Sequence, residues 1–301
     1  MLTSLGRIRA RLPLPLRAGV TVLSLTAILL QWSPLWAEIS YVGCGGEAVG
    51  VQNMTFESEV IALVNQERAH NGLPPMKSVP ELTAAARYHA ADMAQDDYFS
   101  HNSQDRVNGE LTAVCAWSER IKGYYSDYRS MGENIAWGYG SPESVMQGWM
   151  NSDGHRANIL GAYTEIGVGY IDNRWVQDFG ERRSTVPLII NSEAVQTLSS
   201  QVTLYIHGSG DEMRLRNDDL PWGDWQAFQT EISWQLQNLS GERRVDIEVR
   251  KGSTILRSSD TIVLAGATAV TPTPPQPSPT ATPVVLPPDM NETVFLPMVT
   301  R

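Results

Sequence analysis

Near Val186 the apolar residues of this 301-residue chain change their period, and that change divides what the chain can fold into. Before it, the spacing is helical. Val60, Ile61, Leu63 and Val64 form one stripe, so a helix is expected over Phe56 to Asn71, with Glu57 and Glu59 in its first turn and Gly72 and Pro74 ending it. A second helix is expected over Glu81 to Asp97, with Pro80 near its first turn and Leu82, Ala85, Ala86, His89 and Met93 on one face. A Gly- and Tyr-rich connection follows, then a third helix over Pro142 to Ser152 with Val145, Met146 and Trp149 facing inward. Glu165 to Tyr170 and Asn173 to Phe179 read as two strands joined by a turn at Asp172-Asn173. Helices first and strands later, without alternating βα units, imply an α+β layered domain.

Beyond Val186 the period is two. Val202-Thr203-Leu204-Tyr205-Ile206, Ile232-Ser233-Trp234-Gln235-Leu236, Val245-Asp246-Ile247-Glu248-Val249 and Thr261-Ile262-Val263-Leu264 alternate, with turn signals at Gly208-Ser209-Gly210 and Asn217-Asp218-Asp219. This pattern predicts a small antiparallel β-sandwich. The run from Met213 through Trp225 and Trp234 to Val249 resembles Ig-like repeats of bacterial exoproteins.

Both ends carry other signals. Arg7, Arg9, Arg11 and Arg17 precede an apolar stretch from Ala18 to Leu30, and Leu35-Trp36-Ala37 offers a small residue for cleavage before Glu38. This reads as an export signal, with an uncleaved membrane anchor as the alternative, because a bilayer span needs about 20 apolar residues. Thr271 to Pro283 is a Pro/Thr run that holds an extended chain and buries no core. Val294 to Val299 is a short apolar tail. The expected organisation is therefore a signal peptide at 1–37, a spacer at 38–54, an α+β domain at 55–184, a β-sandwich at 185–268, a linker at 269–290 and the tail at 291–301. The expected location is secreted or cell-surface. A net charge of −10, with no Lys/Arg block past the N-terminus, disfavours nucleic-acid binding.

Cys44 and Cys115 are the two cysteines. In an oxidising compartment they can pair, and that reading is preferred here over two free thiols. A third reading takes Tyr41-Val42-Gly43-Cys44 as a lipidation box. Tyr41 is a poor match at its apolar position, and Glu38 separates the cysteine from the hydrophobic run.

The residues that carry chemistry lie between 98 and 180. Four segments stand out: Tyr98-Phe99-Ser100-His101, Gly132-Glu133-Asn134-Ile135-Ala136, Gly148 through Leu160 with Gly154-His155-Arg156-Ala157-Asn158 at its heart, and Glu165-Ile166-Gly167-Val168-Gly169-Tyr170. Two histidines and a carboxylate arrive on separate segments, which suits an open metal or acid–base site. His101 is expected in a loop after the second helix, Glu133 in a constrained loop, and His155 in a tight turn permitted by Gly154. Arg156 and Asn158 are expected to brace that turn. His89 reads as a packed core histidine, His70 and His207 as surface residues, and Trp137, Trp149 and Trp175 as core.

In this order and spacing the four segments closely resemble the CAP superfamily, or SCP domain, in its bacterial secreted form, from about Phe56 to Gly180. The resemblance implies an α-β-α sandwich in which His101, Glu133 and His155 line one cleft, with Asn134 and Ser152 beside them. It leaves open a divalent cation such as zinc on His101 and His155. One position departs from the family. Eukaryotic members usually carry a second glutamate just after the tryptophan of the third helix, whereas Trp149-Met150-Asn151-Ser152-Asp153 places Asn151 or Ser152 there.

Two functions follow as expectations. The first is a binding or effector module whose cleft takes a small amphiphile, a peptide or a cell-envelope component, with membrane attachment only through an uncleaved signal. The second is a metal-assisted extracellular hydrolase with Glu133 as general base. The absence of a Gly-x-Ser-x-Gly elbow, a catalytic-cysteine signature and a second firm carboxylate favours binding over catalysis.

Overall fold

The computed structural model of the protein describes residues 40–266, which form part of one compact unit. The expected signal segment, Pro/Thr linker and apolar tail lie outside the described residues. The first elements are α1 (Met54–His70), β1 (Lys77–Ser78), α2 (Pro80–Asp96), β2 (Ser103–Val107), β3 (Glu110–Cys115), α3 (Trp117–Tyr124), β4 (Tyr128–Trp137), α4 (Pro142–Met150), α5 (Asp153–Ile159), β5 (Glu165–Ile171) and β6 (Arg174–Arg182). Asn53 starts α1 by accepting the Phe56 amide, and Ser141 and Ser144 close a capping box at the start of α4.

One sheet in the order β1-β5-β6-β4 sits between two helical layers. Alternate residues of its strands point to opposite faces. Ile166, Val168, Trp175 and Phe179 face α1 and α4, where they pack with Val60, Val64, Val145, Met146 and Trp149. Ile135 and Val176 face α2 and pack on Ala86, Ala90 and Met93. The approach of α2 to β5 is close because Gly167 and Gly169 present no side chain to it. A Cβ at Gly167 would lie 2.1 Å from the backbone of Leu82 and Thr83, and one at Gly169 would lie 2.4 Å from that of Ala86 and Arg87. Glycine here is a packing requirement.

Between α2 and α4 the expected plain connection holds a hairpin, a helix and the longest strand of the sheet. Period-two patterning was masked there because β4 is buried on both faces over Met131 to Ala136 and contains Gly132, Glu133 and Asn134, poor strand formers by composition. Cys44 and Cys115 form a disulfide that ties the segment before α1 to the end of β3. The lipidation reading of Cys44 is therefore set aside, since its sulfur is bonded to Cys115.

The chain continues through β7 (Leu188–Ile190), β8 (Gln196–Thr197), β9 (Gln201–Ile206), β10 (Glu212–Asn217), β11 (Gln226–Ala227), β12 (Glu231–Gln235), β13 (Gly241–Lys251) and β14 (Thr254–Leu264). These make two sheets, β11-β10-β13-β14-β8 and β12-β9-β7. Both sheets contribute to one cluster, with Leu188, Val202, Leu204 and Ile206 from one and Met213, Leu215, Val245 and Ile247 from the other.

Polar contacts join this all-β part to the α/β part. Asn65 donates to the Ser192 carbonyl, and Lys77 is ion-paired with both Glu193 and Asp260. His207 donates through Nε2 to the Pro75 carbonyl at 2.6 Å and is 7% exposed. It is thus a seam residue and not the surface residue expected; the alternation of β9 places it next to Ile206 where the two parts meet. His70 is exposed as expected.

Candidate functional site

β4 is an edge strand, so elements from the two helical layers can meet around its free edge. The loop after α2 brings His101, β4 brings Glu133, and α5 brings His155. Two local expectations change. Glu133 lies in a strand and not a loop, and His155 sits in the first turn of a short helix, with Gly154 helical before it and not in a tight turn.

Glu133 is the hub. Its Oε1 accepts from His101 Nδ1 at 2.8 Å, and its Oε2 is ion-paired with the fully buried Arg120. Arg120 also donates to the His101 carbonyl at 2.9 Å and to Ser103 Oγ at 3.1 Å. One guanidinium thereby fixes both the backbone and the ring partner of His101. Burial alone would raise the Glu133 carboxyl, but Arg120 and the His101 hydrogen bond outweigh it and hold the group well below the usual carboxylate range.

Asp178 lies directly across from Glu133 in the β4–β6 register and is fully buried. Among the described residues neither of its oxygens has a hydrogen-bond partner. Burial, and then the Glu133 charge, push its carboxyl well above normal, so the proton of this pair rests on Asp178. Behind this pair stands His89, completely buried, with Nε2 on the Ser100 carbonyl at 2.8 Å. Burial and the Arg120 charge lower it to about 3, so it is a neutral core histidine, in line with its place on the inner face of α2.

His155 Nδ1 is 2.8 Å from Ser152 Oγ. Ser152 occupies the N-cap of α5 without capping it, because its hydroxyl holds this ring. Burial, and then the electrostatic influence of the neighbouring His101, lower His155 to about 4. The backbone of α5 is fixed by a network on the opposite face of β4. Asn134 donates to the His155 carbonyl and to Gln177 Oε1, while Asn158 donates to the Glu133 carbonyl and to Asn134 Oδ1. Asn134 is fully buried with its amide engaged inside the protein, so it positions α5. Arg156 braces the turn between α4 and α5 through the Met150 carbonyl and Asp153. Trp149 and Trp175 are core, whereas Trp137 is 44% exposed and lies beneath the Arg174 guanidinium.

Neither Asp153 nor Glu165 stands in for the family's second glutamate. Asp153 is paired with Arg156 at the surface, and Glu165 accepts from Tyr125. The second carboxyl beside Glu133 is Asp178. Sequence reasoning missed both Asp178 and Arg120. Their signal was faint: a lone acid in the apolar run Trp175-Val176-Gln177-Asp178-Phe179, and an arginine one residue before Ile121 on the buried face of α3.

The donor set can be tested against a divalent ion. Among the described residues, the trio whose ligand atoms all lie within 4.8 Å of one another is Asp92, Asp96 and Asp105, and not His101, Glu133 and His155. With both Nδ1 atoms and both Glu133 oxygens engaged, the two rings offer at most one nitrogen each. A site with three protein ligands, the usual zinc arrangement, does not fit with Glu133 as a ligand. Glu133 fits as the outer partner that orients His101.

Residues 61–179 match the family described as CAP: Cysteine-rich secretory protein family. This segment is a CAP domain. It contains His101, Arg120, Glu133, His155 and Asp178. Two relatives are from Bacillus subtilis. Uncharacterized protein YkwD is 38% identical over 127 residues, covering 41% of this chain and 46% of its own length. Uncharacterized membrane protein YlbC is 33% identical over 129 residues, covering 42% of this chain and 35% of its own. The chain thus spans less than half the length of these curated relatives. Among solved structures, an extracellular SCP-domain protein from Bacillus anthracis is 30% identical, with a TM-score of 0.38, covering 42% of this chain and 40% of that one. A cysteine-rich secretory protein from Staphylococcus aureus is 20% identical, with a TM-score of 0.35, covering 44% and 40%. Among the described residues no helix is long and apolar enough to cross a membrane.

Proposed function

We propose that this chain is a secreted or cell-surface protein whose CAP domain is a binding or effector module, taking a small amphiphile, a peptide or a cell-envelope component in the cleft of His101, Glu133 and His155. The observation that carries this reading is the state of Glu133. Both of its oxygens are engaged, and Arg120 keeps it a weak base. A general base works best with a pKa near the operating pH, and this carboxylate is far from that. Its role in the cleft is to fix the tautomer of His101, with Nδ1 donating and Nε2 turned away from the carboxylate.

The reading extends to the rest of the chain. The all-β part is an Ig-like module that displays the CAP domain, and the N-terminal segment directs export. Export is supported by the Arg-then-apolar start of the sequence and by the disulfide, which belongs to oxidising compartments. A divalent cation, if bound, rests on His101 and His155 with low affinity.

Metal content of the purified protein after dialysis, measured beside His101→Ala and His155→Ala, tests this. Little retained metal and no turnover of generic peptide, ester or nucleic-acid substrates are expected. Stoichiometric zinc that survives dialysis, with hydrolysis that disappears in Glu133→Gln, would replace the binding reading by the hydrolase.

A further inference from the structure

At the other edge of the sheet, away from the histidine cleft, lies a cavity of about 680 Å³ that neither part of the chain forms alone. Its α/β walls come from α1, β1, the start of α2 and Val168 of β5, and its all-β walls from residues 193–195 and β14. The volume falls within the range of small-molecule sites, and the seam between two folded parts is a common place for one.

The lining combines an apolar mouth with a charged floor. Met54, Val195 and Val263 stand at 66%, 62% and 41% exposure around it, and Ile61 and Val168 lie deeper. On the floor, among the described residues, Lys77 is the one cation between Glu193, at 3.1 Å, and Asp260. Asp260 also accepts the Ile190 amide. On the side wall, Glu57 and Arg87 neutralise each other through a two-point contact. Glu242 lines the cavity as well. Among the described residues four carboxylates therefore face two cations, so the lining is two positive charges short, and the shortage is sharpest where Glu193 and Asp260 share one ammonium.

The backbone that delivers Glu193 is itself unusual. Asn191, Ser192 and Glu193 are three consecutive non-glycine residues at φ of 45°, 57° and 68°, a conformation that L side chains rarely adopt even singly. The seam contact from Asn65 to the Ser192 carbonyl helps hold it.

We propose that this cavity is a second binding site, separate from the CAP cleft, for a small organic cation with an apolar body, its ammonium group beside Glu193 and Asp260 and its apolar part against Met54, Val195 and Val263. An added cation supplies the charge that Lys77 cannot give to two acids at once. Burial, partly offset by Lys77 and reinforced by the neighbouring Asp260 charge, raises Glu193 to about 7.

Titration calorimetry of the full chain at pH 8 with hexyltrimethylammonium, and in parallel with hexyl sulfate, tests the site. The cation is expected to bind at least ten-fold more tightly than the sulfate. Glu193→Gln is expected to reduce cation binding at least ten-fold. Should that variant fail to fold, Met54→Lys, at a position that is two-thirds exposed, places a positive charge at the mouth and is expected to weaken the cation while leaving hexyl sulfate unweakened. Equal affinity for the two probes, no binding of the cation, or cation binding unchanged in both variants would each overturn the proposal. His101→Ala is expected to leave the cation affinity unchanged, and a loss there would place the probe in the CAP cleft instead.

Discussion

Glu133 and Asp178 stand directly opposite each other on β4 and β6, two buried carboxyl groups in one cross-strand pair. Like charges in that position repel, and in a dry interior both cannot ionise. The structure resolves the conflict by asymmetry. Glu133 has Arg120 and His101, while Asp178 has no hydrogen-bond partner among the described residues and keeps its proton.

That asymmetry predicts opposite outcomes for two isosteric changes. Asp178→Asn replaces a neutral carboxyl by a neutral amide of nearly the same shape, so chemical unfolding should shift by less than about 1 kcal/mol. Glu133→Gln leaves the Arg120 guanidinium buried without its counter-ion and should cost roughly 3–5 kcal/mol. Similar costs for the two variants would show that Asp178 is not the protonated member.

Acid should weaken the fold partly through His155. Its folded value is about 4, against an ordinary 6.5. The unfolded chain therefore binds more protons between those values, and stability falls as pH drops from 6.5 toward 4. Urea midpoints across this window should fall less steeply in His155→Asn than in the parent. A parent and variant with identical slopes would mean that His155 is not held neutral.

Gly167→Ala should be among the most damaging single-methyl additions in the protein. The new Cβ meets the backbone of Leu82 and Thr83 at 2.1 Å, where no flexible side chain can yield. A loss of about 3 kcal/mol is expected, read as a lowered thermal midpoint. Ala substitution at Gly50, which has open space around it, is the control and should be near neutral.

The Cys44–Cys115 disulfide spans a sequence separation of 71. In the chain-entropy model a loop of that size contributes roughly 4 kcal/mol. Reduction, or the double Ser variant, should lower the thermal midpoint by on the order of 10 °C. A midpoint unchanged by reductant would argue against a structural role for the bond.

Much of the frame was legible in the residues. The stripes through Val60 and Val64, and through Leu82 and Met93, specified α1 and α2 because a helix repeats its buried face every three to four residues. The alternation from Val202 onward specified strands for the same kind of reason. Compartment chemistry by itself favours the pairing of Cys44 with Cys115. His101, Glu133 and His155 were identifiable as residue types set among small neighbours.

Other features depended on contacts between residues far apart in the chain. β4 carries no readable signal because a strand buried on both faces has no alternation, and without its strand partner Glu133 reads as a loop residue. Arg120 acquires its role only when α3 packs beneath the His101 loop, and Asp178 only when β6 pairs with β4. The state of each carboxyl was decided the same way, since burial and neighbouring charge come from the packed fold and no local pattern encodes them. The sequence by itself determined the helices α1, α2 and α4, the strands β5 and β6 and the alternating strands beyond Val186, and which residue types are available for chemistry. Tertiary structure alone decided which acid is charged, which histidine is oriented, and that Lys77 lies between Glu193 and Asp260, because electrostatic energy depends on distance through space and not along the chain.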